Sequence, residues 1–224
     1  LWACWRAGLV SERKGDRVEE HSASRGDMVR AFVVLSLTML LLGLIGTAMS
    51  TAMPKLFAQR LDGASSGTAT VGALVMAVYL FSSFAQLAGG HIADRFSPKA
   101  VYIAMTAAQL PAMMAAAAIA GPALVPVMAL AAAFNSMAIP SESSLLARFS
   151  PSKHRSLAFG AKFLIALGIG PVAILLVAWI EQTTGGLGLL LTLLGMFGGV
   201  LALIALLLPS GRAATPASAV VPAE

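Results

Sequence analysis

Charge is what this sequence has least of: Asp, Glu, Lys and Arg make up 11% of its 224 residues, against roughly a quarter in an ordinary soluble domain. Too few charges remain to build a water-facing surface, which excludes a soluble globular domain. The single cysteine, Cys4, rules out an intramolecular disulfide and any multi-cysteine metal centre. His21, His91 and His154 fall in separate polar segments, so no two are placed to share a metal or act as an acid–base pair. No cofactor is expected. A Gly-x-x-x-x-Gly-Lys-Ser/Thr loop is also missing, which argues against an ATP-driven motor, and the chain is not expected to be an enzyme. The net charge of +5 comes from basic residues dispersed between apolar runs, a distribution that does not fit nucleic acid as a partner. The amino end, Leu1-Trp2-Ala3-Cys4-Trp5, lacks the ordered segments of a secretory signal. With no methionine before Met28, it reads as a fragment of a longer protein.

Apolar residues are what is abundant, at 58% of the chain with a mean hydropathy of +0.85. They gather into six runs, residues 31–53, 69–90, 100–120, 123–147, 156–180 and 186–208. Each is near the roughly 20 residues that carry an α-helix across about 30 Å of hydrocarbon. None shows the alternation of a barrel strand, and a backbone in lipid must satisfy its own hydrogen bonds, so helices are the expected element. The fold class is therefore all-α, a polytopic membrane protein of six transmembrane helices, with Pro126 and Pro140 expected to interrupt the fourth. Residues 1–30 read as a polar linker that begins with the end of a preceding span, and residues 209–224 as a disordered tail.

Orientation follows from the cations. With both termini on one side, that side holds twelve of the 15 Lys and Arg, Lys55 and Arg60 lie opposite, and Lys162 is inside a span. Both termini are expected in the cytoplasm.

Between the second and third runs the chain reads Gly89-Gly90-His91-Ile92-Ala93-Asp94-Arg95-Phe96-Ser97-Pro98-Lys99. This resembles the major facilitator superfamily, whose loop after the second helix of each half carries Gly-x-Leu-Ala-Asp-Arg-x-Gly-Arg-Lys or a variant. Gly90, Asp94, Arg95 and Lys99 fall on the matching positions; Ile92 replaces Leu, and Ser97 and Pro98 depart from Gly and Arg. Glycine here lets helices approach, Asp94 is positioned to cap or neutralise the start of the third span, and the cations hold the loop at the interface. The positive-inside rule by itself would also place cations here. The resemblance covers about residues 31 to 208. It implies the carboxy-terminal six-helix half of a twelve-helix fold, two inverted three-helix repeats, with solute bound between halves near mid-membrane. It further implies that the first and fourth helices of the half line the cavity and the third and sixth face lipid.

Small polar residues stripe the first span at Ser36, Gly43, Thr47, Ser50, Thr51 and Pro54, and the second at Tyr79, Ser82, Ser83, Gln86 and Gly90. Such stripes serve helix packing or line a pathway. Tyr102, Thr106 and Gln109 share a face of the third span that is expected to pack against the second. Two ionisable residues lie within the spans, Glu142 and Lys162, each roughly 9–10 Å inside the cytoplasmic boundary by helical rise. Consecutive helices joined by a short loop are neighbours, so these two are expected to pair and to close or couple the pathway. The alternative is that Lys162 snorkels to the interface while Glu142 occupies a frayed helix end. Asn135, one heptad before Glu142, shares its face near mid-span and is the candidate solute contact; Thr47 and Gln86 complete the candidate pathway.

The reading that follows is a secondary transporter of the plasma membrane, a bacterial inner membrane, moving a small solute by alternating access under a proton or solute gradient. Drug or metabolite efflux is implied by the resemblance alone. Its partners are the bilayer, the solute, protons and a missing amino-terminal half. Two rivals stand beside it: a six-span homodimer joined through Gly195 and Gly199 of the sixth span, and a non-transporting membrane scaffold.

Overall fold

The computed structural model describes residues 25–61, 67–150 and 155–208, in which seven helices and no strand occur. They are α1 (Arg25–Arg60), α2 (Thr68–Arg95), α3 (Pro98–Ala118), α4 (Leu124–Phe149), α5 (Arg155–Gly168), α6 (Gly170–Thr184) and α7 (Gly188–Leu206). α5 and α6 are one membrane-length span, so six helices are long and apolar enough to cross a bilayer. The expected tail at 209–224 and most of the expected linker, residues 1–24, lie outside the described residues.

α1, α2 and the fifth span outlast the apolar runs that announced them at both ends. α1 continues through Pro54 to Arg60, and α4 passes through Pro140 without a break. Both prolines stay helical because neighbouring helices and side chains can satisfy what they leave open. α2 absorbs the Gly90–Arg95 segment expected in a loop, which leaves only Phe96 and Ser97 to turn the chain. Ser97 makes that turn possible. Its Oγ accepts from the Ala100 N–H at 3.1 Å and Pro98 occupies the first helical position, where its missing N–H costs nothing. The cap of α3 is thus Ser97, not Asp94, which sits exposed in the last turn of α2. At the other end of the bundle, α6 stops at Gly185, whose φ of 69° suits glycine and whose N–H reaches the Glu181 carbonyl at 2.8 Å.

α1 is the central post, packed against α2, α4, α5, α6 and α7. Leu35, Ile45, Met53, Leu56 and Phe57 along it are fully covered. The closest crossings use glycine. A Cβ on Gly89 of α2 would stand 2.7 Å from Met137 Cα of α4, so these two backbones are in contact. On α7, Cβ atoms at Gly195 and Gly199 would meet Met113 Cβ at 3.1 Å and Leu110 Cδ1 at 2.6 Å. Both glycines lie against α3 inside the chain, Gly195 buried and Gly199 half-buried.

Packing also corrects the expected faces. Gln109 of α3 turns toward Gly198 of α7, beside which the Thr106 backbone carbonyl also lies, rather than toward the second span. α3 and α7 cover one another, while α2 and the fifth span bury the smallest share of their length.

Candidate functional site

The two ionisable residues within the spans meet. Lys162 Nζ of α5 lies 2.9 Å from Glu142 Oε2 of α4 and donates to Ser143 Oγ at 2.8 Å. Ser143 can accept because its own proton goes to the Ile139 carbonyl, 3.0 Å away. On the far side of the carboxylate, Tyr102 Oη of α3 donates to Glu142 Oε1 at 3.4 Å, and Thr38 of α1 adjoins that hydroxyl. Side chains from α3 and α5 therefore converge on one carboxylate of α4, and α1 supports the tyrosine that holds it. All of them are buried within this chain or nearly so: Tyr102 and Thr38 are at 0% exposure and Glu142 at 3%.

Depth explains the convergence. Glu142 precedes the end of α4 by seven residues and Lys162 follows the start of α5 by seven, about 10 Å of rise in each case. A charge at that depth costs several kcal/mol unless paired, so equal depth on adjacent helices leads to an ion pair. Removing one partner strands the other. The arrangement is therefore a polar clasp between α4 and α5, with Tyr102 as a second, neutral hold on the carboxylate.

The remaining candidate pathway residues are not brought to this cluster. Asn135, also on α4, faces α1 instead, where a Cβ on Gly46 would stand 3.1 Å from its Oδ1; its Nδ2 is buried without a hydrogen-bond partner. Thr47 is half-buried on α1, and Gln86 is exposed on α2. Ser50, Thr51 and Pro54 of α1 and Ser83 of α2 are likewise exposed, so much of the polar stripe faces outward from the six-helix unit.

The resembling motif is split as well. Gly90 lies under Pro140 of α4, 3.9 Å from where its Cβ would be, and Asp94 and Arg95 are exposed. Lys99 reaches away from them: its ammonium donates to the Leu206 carbonyl at 3.1 Å and to that of Leu208, closing the carboxyl end of α7 with a cation where the helix dipole favours one.

At the opposite end, Lys55 of α1 pairs with Glu181 of α6. Arg60 donates to the Ala116, Ala117 and Ile119 carbonyls at 2.9, 3.0 and 3.1 Å, capping α3. Four participants were not singled out from the sequence, buried Thr38 among them. Tyr102 carried a signal, a lone tyrosine near the start of a span, but was assigned to another face. Glu181 fell one residue beyond the expected fifth span. Ser143 had no distinguishing signal.

These six apolar helices share the fold of one half of a known transporter structure. Among solved structures the chain is similar to the E. coli fucose:proton symporter FucP in a point variant, with a TM-score of 0.71 and 14% identity over 81% of this chain and 43% of that one. It is equally similar to FucP in the outward conformation, with a TM-score of 0.71 and 14% identity over 82% and 43%. The chain thus spans less than half the length of the transporter it matches. No family model matches the sequence, and a search of curated proteins gives no match.

Proposed function

We propose that this chain is the carboxy-terminal half of a secondary active transporter that moves a small solute across the plasma membrane by alternating access, with Glu142 and Lys162 closing or coupling the pathway near its cytoplasmic end. The observation that carries the reading is the outward-facing polar stripe: Ser50 and Thr51 on α1 beside half-buried Thr47, with Ser83 and Gln86 on α2, on a six-helix unit that matches half of a transporter fold. Exposed hydroxyls and amides are poor neighbours for lipid, and a second six-helix half would convert this face into a solute cavity. The exposed Asp94 and Arg95 would meet that half at the cytoplasmic rim.

Cations support the orientation. Arg30, Arg95, Lys99 and Arg148 stand at the end where α2 passes into α3 and α4 ends, whereas Lys55 and Arg60 opposite are engaged by Glu181 and by helix carbonyls. The first end is the cytoplasmic one by the positive-inside rule. Protons are the coupling ion in this reading, in keeping with the proton symport named for FucP; a buried carboxylate that can exchange a lysine for a proton is suited to it.

The test is made in two steps. The reading frame upstream of the Leu1 codon should encode six further apolar spans, and a stop codon immediately upstream would overturn the half-transporter reading. In the full-length protein, reconstituted with an internal pH dye and offered a panel of neutral sugars and organic acids, E142Q and K162M should each abolish solute-driven proton flux. E142K/K162E should recover part of it. Independent, additive losses with no recovery would remove the pair from the mechanism.

A further inference from the structure

The fifth span is attached unevenly along its length. α6 presents buried Ala173, Val177 and Ile180, with α1 as its principal neighbour, and adds the Lys55–Glu181 ion pair. α5 also lies on α1, with Ala158 and half-buried Phe159 against the core, but it buries less. Leu157, Phe163, Leu164 and Leu167 are exposed, and Ala158 is its only buried side chain among the described residues. What fastens α5 at mid-length is polar: the Lys162 ammonium on Glu142 and Ser143 of α4.

Between the two halves the helix loses a bond. Pro171 has no N–H to offer the Leu167 carbonyl, and its ring crowds that oxygen. The flanking bonds persist, Ile169 N–H to Ile165 at 3.1 Å and Ala173 N–H to Ile169 at 3.0 Å. Gly168 and Gly170 bracket the gap, and a Cβ on either would meet nothing within 4 Å, so the break is open on those two sides. At the break and on its α5 side, Gly43 of α1 fits against the span: its Cβ would stand 3.3 Å from Ile169 Cγ2 and 3.5 Å from Ala166 Cα. A weak point in the helix, a close crossing to turn against, an arm fixed by apolar packing and an arm held by charge thus occur together.

We propose that α5 is a swinging arm that turns about the Gly168–Pro171 break against Gly43 of α1, with the Lys162–Glu142 pair as its latch to α4, while α6 stays on α1. The proposal concerns the pair given a closing role above, but its test reads motion rather than flux, so it stands or fails separately from transport. From the break to Arg155 the arm is about 20 Å long at 1.5 Å per residue, and a turn of about 20°, the size of an ordinary proline kink, moves its tip by about 7 Å.

Spin labels in a Cys4→Ser background, with the full chain in lipid nanodiscs, would report the two arms separately: Leu157 against Leu203 for α5, and Gln182 against Met76 for α6. E142Q/K162M opens the latch without stranding a charge. The Leu157–Leu203 distance distribution should then shift or broaden by about 7 Å, from the same geometry, while the Gln182–Met76 distribution stays put. Adding Pro171→Ala, which restores the missing N–H, should abolish the change. Both distances moving together, neither moving, or indifference to Pro171→Ala would overturn the hinge. A second measurement needs no latch variant: in the unmodified chain, amide hydrogen exchange should be faster through 156–167 than through 173–184, and equal rates would overturn the proposal as well.

Discussion

Removing Lys162 should harm the bundle more than removing Glu142, and removing both should harm it least. The pair joins α4 to α5 at 2.9 Å with 11% and 4% of the two side chains exposed. In K162M the carboxylate is left with Tyr102 at 3.4 Å as its remaining partner and a side chain too short to reach the interface. Stranding one member of a buried pair costs about 3–5 kcal/mol. In E142Q the lysine keeps Ser143 and a flexible four-carbon stem that can carry its ammonium toward water, which lowers the loss to about 1–3 kcal/mol. E142Q/K162M leaves no charge behind and replaces the pair with groups of similar volume, so its cost should be about 1 kcal/mol or less. The double-mutant cycle then returns a coupling energy of at least about 3 kcal/mol. Equilibrium unfolding of the full chain in mixed micelles, followed by helical circular dichroism for the four proteins, measures every term. A double variant whose loss equals the sum of the singles would refute the reasoning, because it would mean that the two charges do not depend on each other.

Gly89→Ala should destabilise the chain by about 1–3 kcal/mol, the cost of overpacking, because the added methyl would stand 2.7 Å from Met137 Cα. Gly72→Ala, where a Cβ meets nothing within 4 Å, should instead be neutral or gain up to about 1 kcal/mol from helix propensity; thermal unfolding of the two variants side by side checks the contrast. Gln109→Leu should stabilise the α3–α7 seam, since both amide atoms of Gln109 are buried without a partner and an orphaned polar group costs about 1–3 kcal/mol. A loss of stability on the same unfolding assay would show that the amide is satisfied, by a buried water.

Where the apolar runs lie could be read directly, because crossing hydrocarbon constrains a segment whatever its neighbours are. Their ends could not. Hydropathy falls at the interface while the backbone goes on making i to i−4 bonds, so α1 runs past Pro54 to Arg60 and α2 swallows Asp94 and Arg95. That shortfall had a consequence: a fifth span closed at residue 180 leaves Glu181 outside it, and with it the pairing to Lys55. Helix rotation was equally out of reach. The polar face of α3 could be drawn from the spacing of Tyr102, Thr106 and Gln109, but where it points is set by Gly195, Gly198 and Gly199, which let α7 sit against α3. Once α7 takes Gln109, Tyr102, two turns earlier, is left facing Glu142. The charged pair escaped this difficulty for a physical reason. A lysine and a carboxylate at equal depth on consecutive helices have no less costly partner in hydrocarbon, so depth and adjacency alone select the contact, without knowledge of how any helix is turned. Neutral groups have no such compulsion, and Asn135 illustrates it. It shares a helix and nearly a face with Glu142 yet ends against Gly46 of α1, a position that depth and spacing could not have assigned.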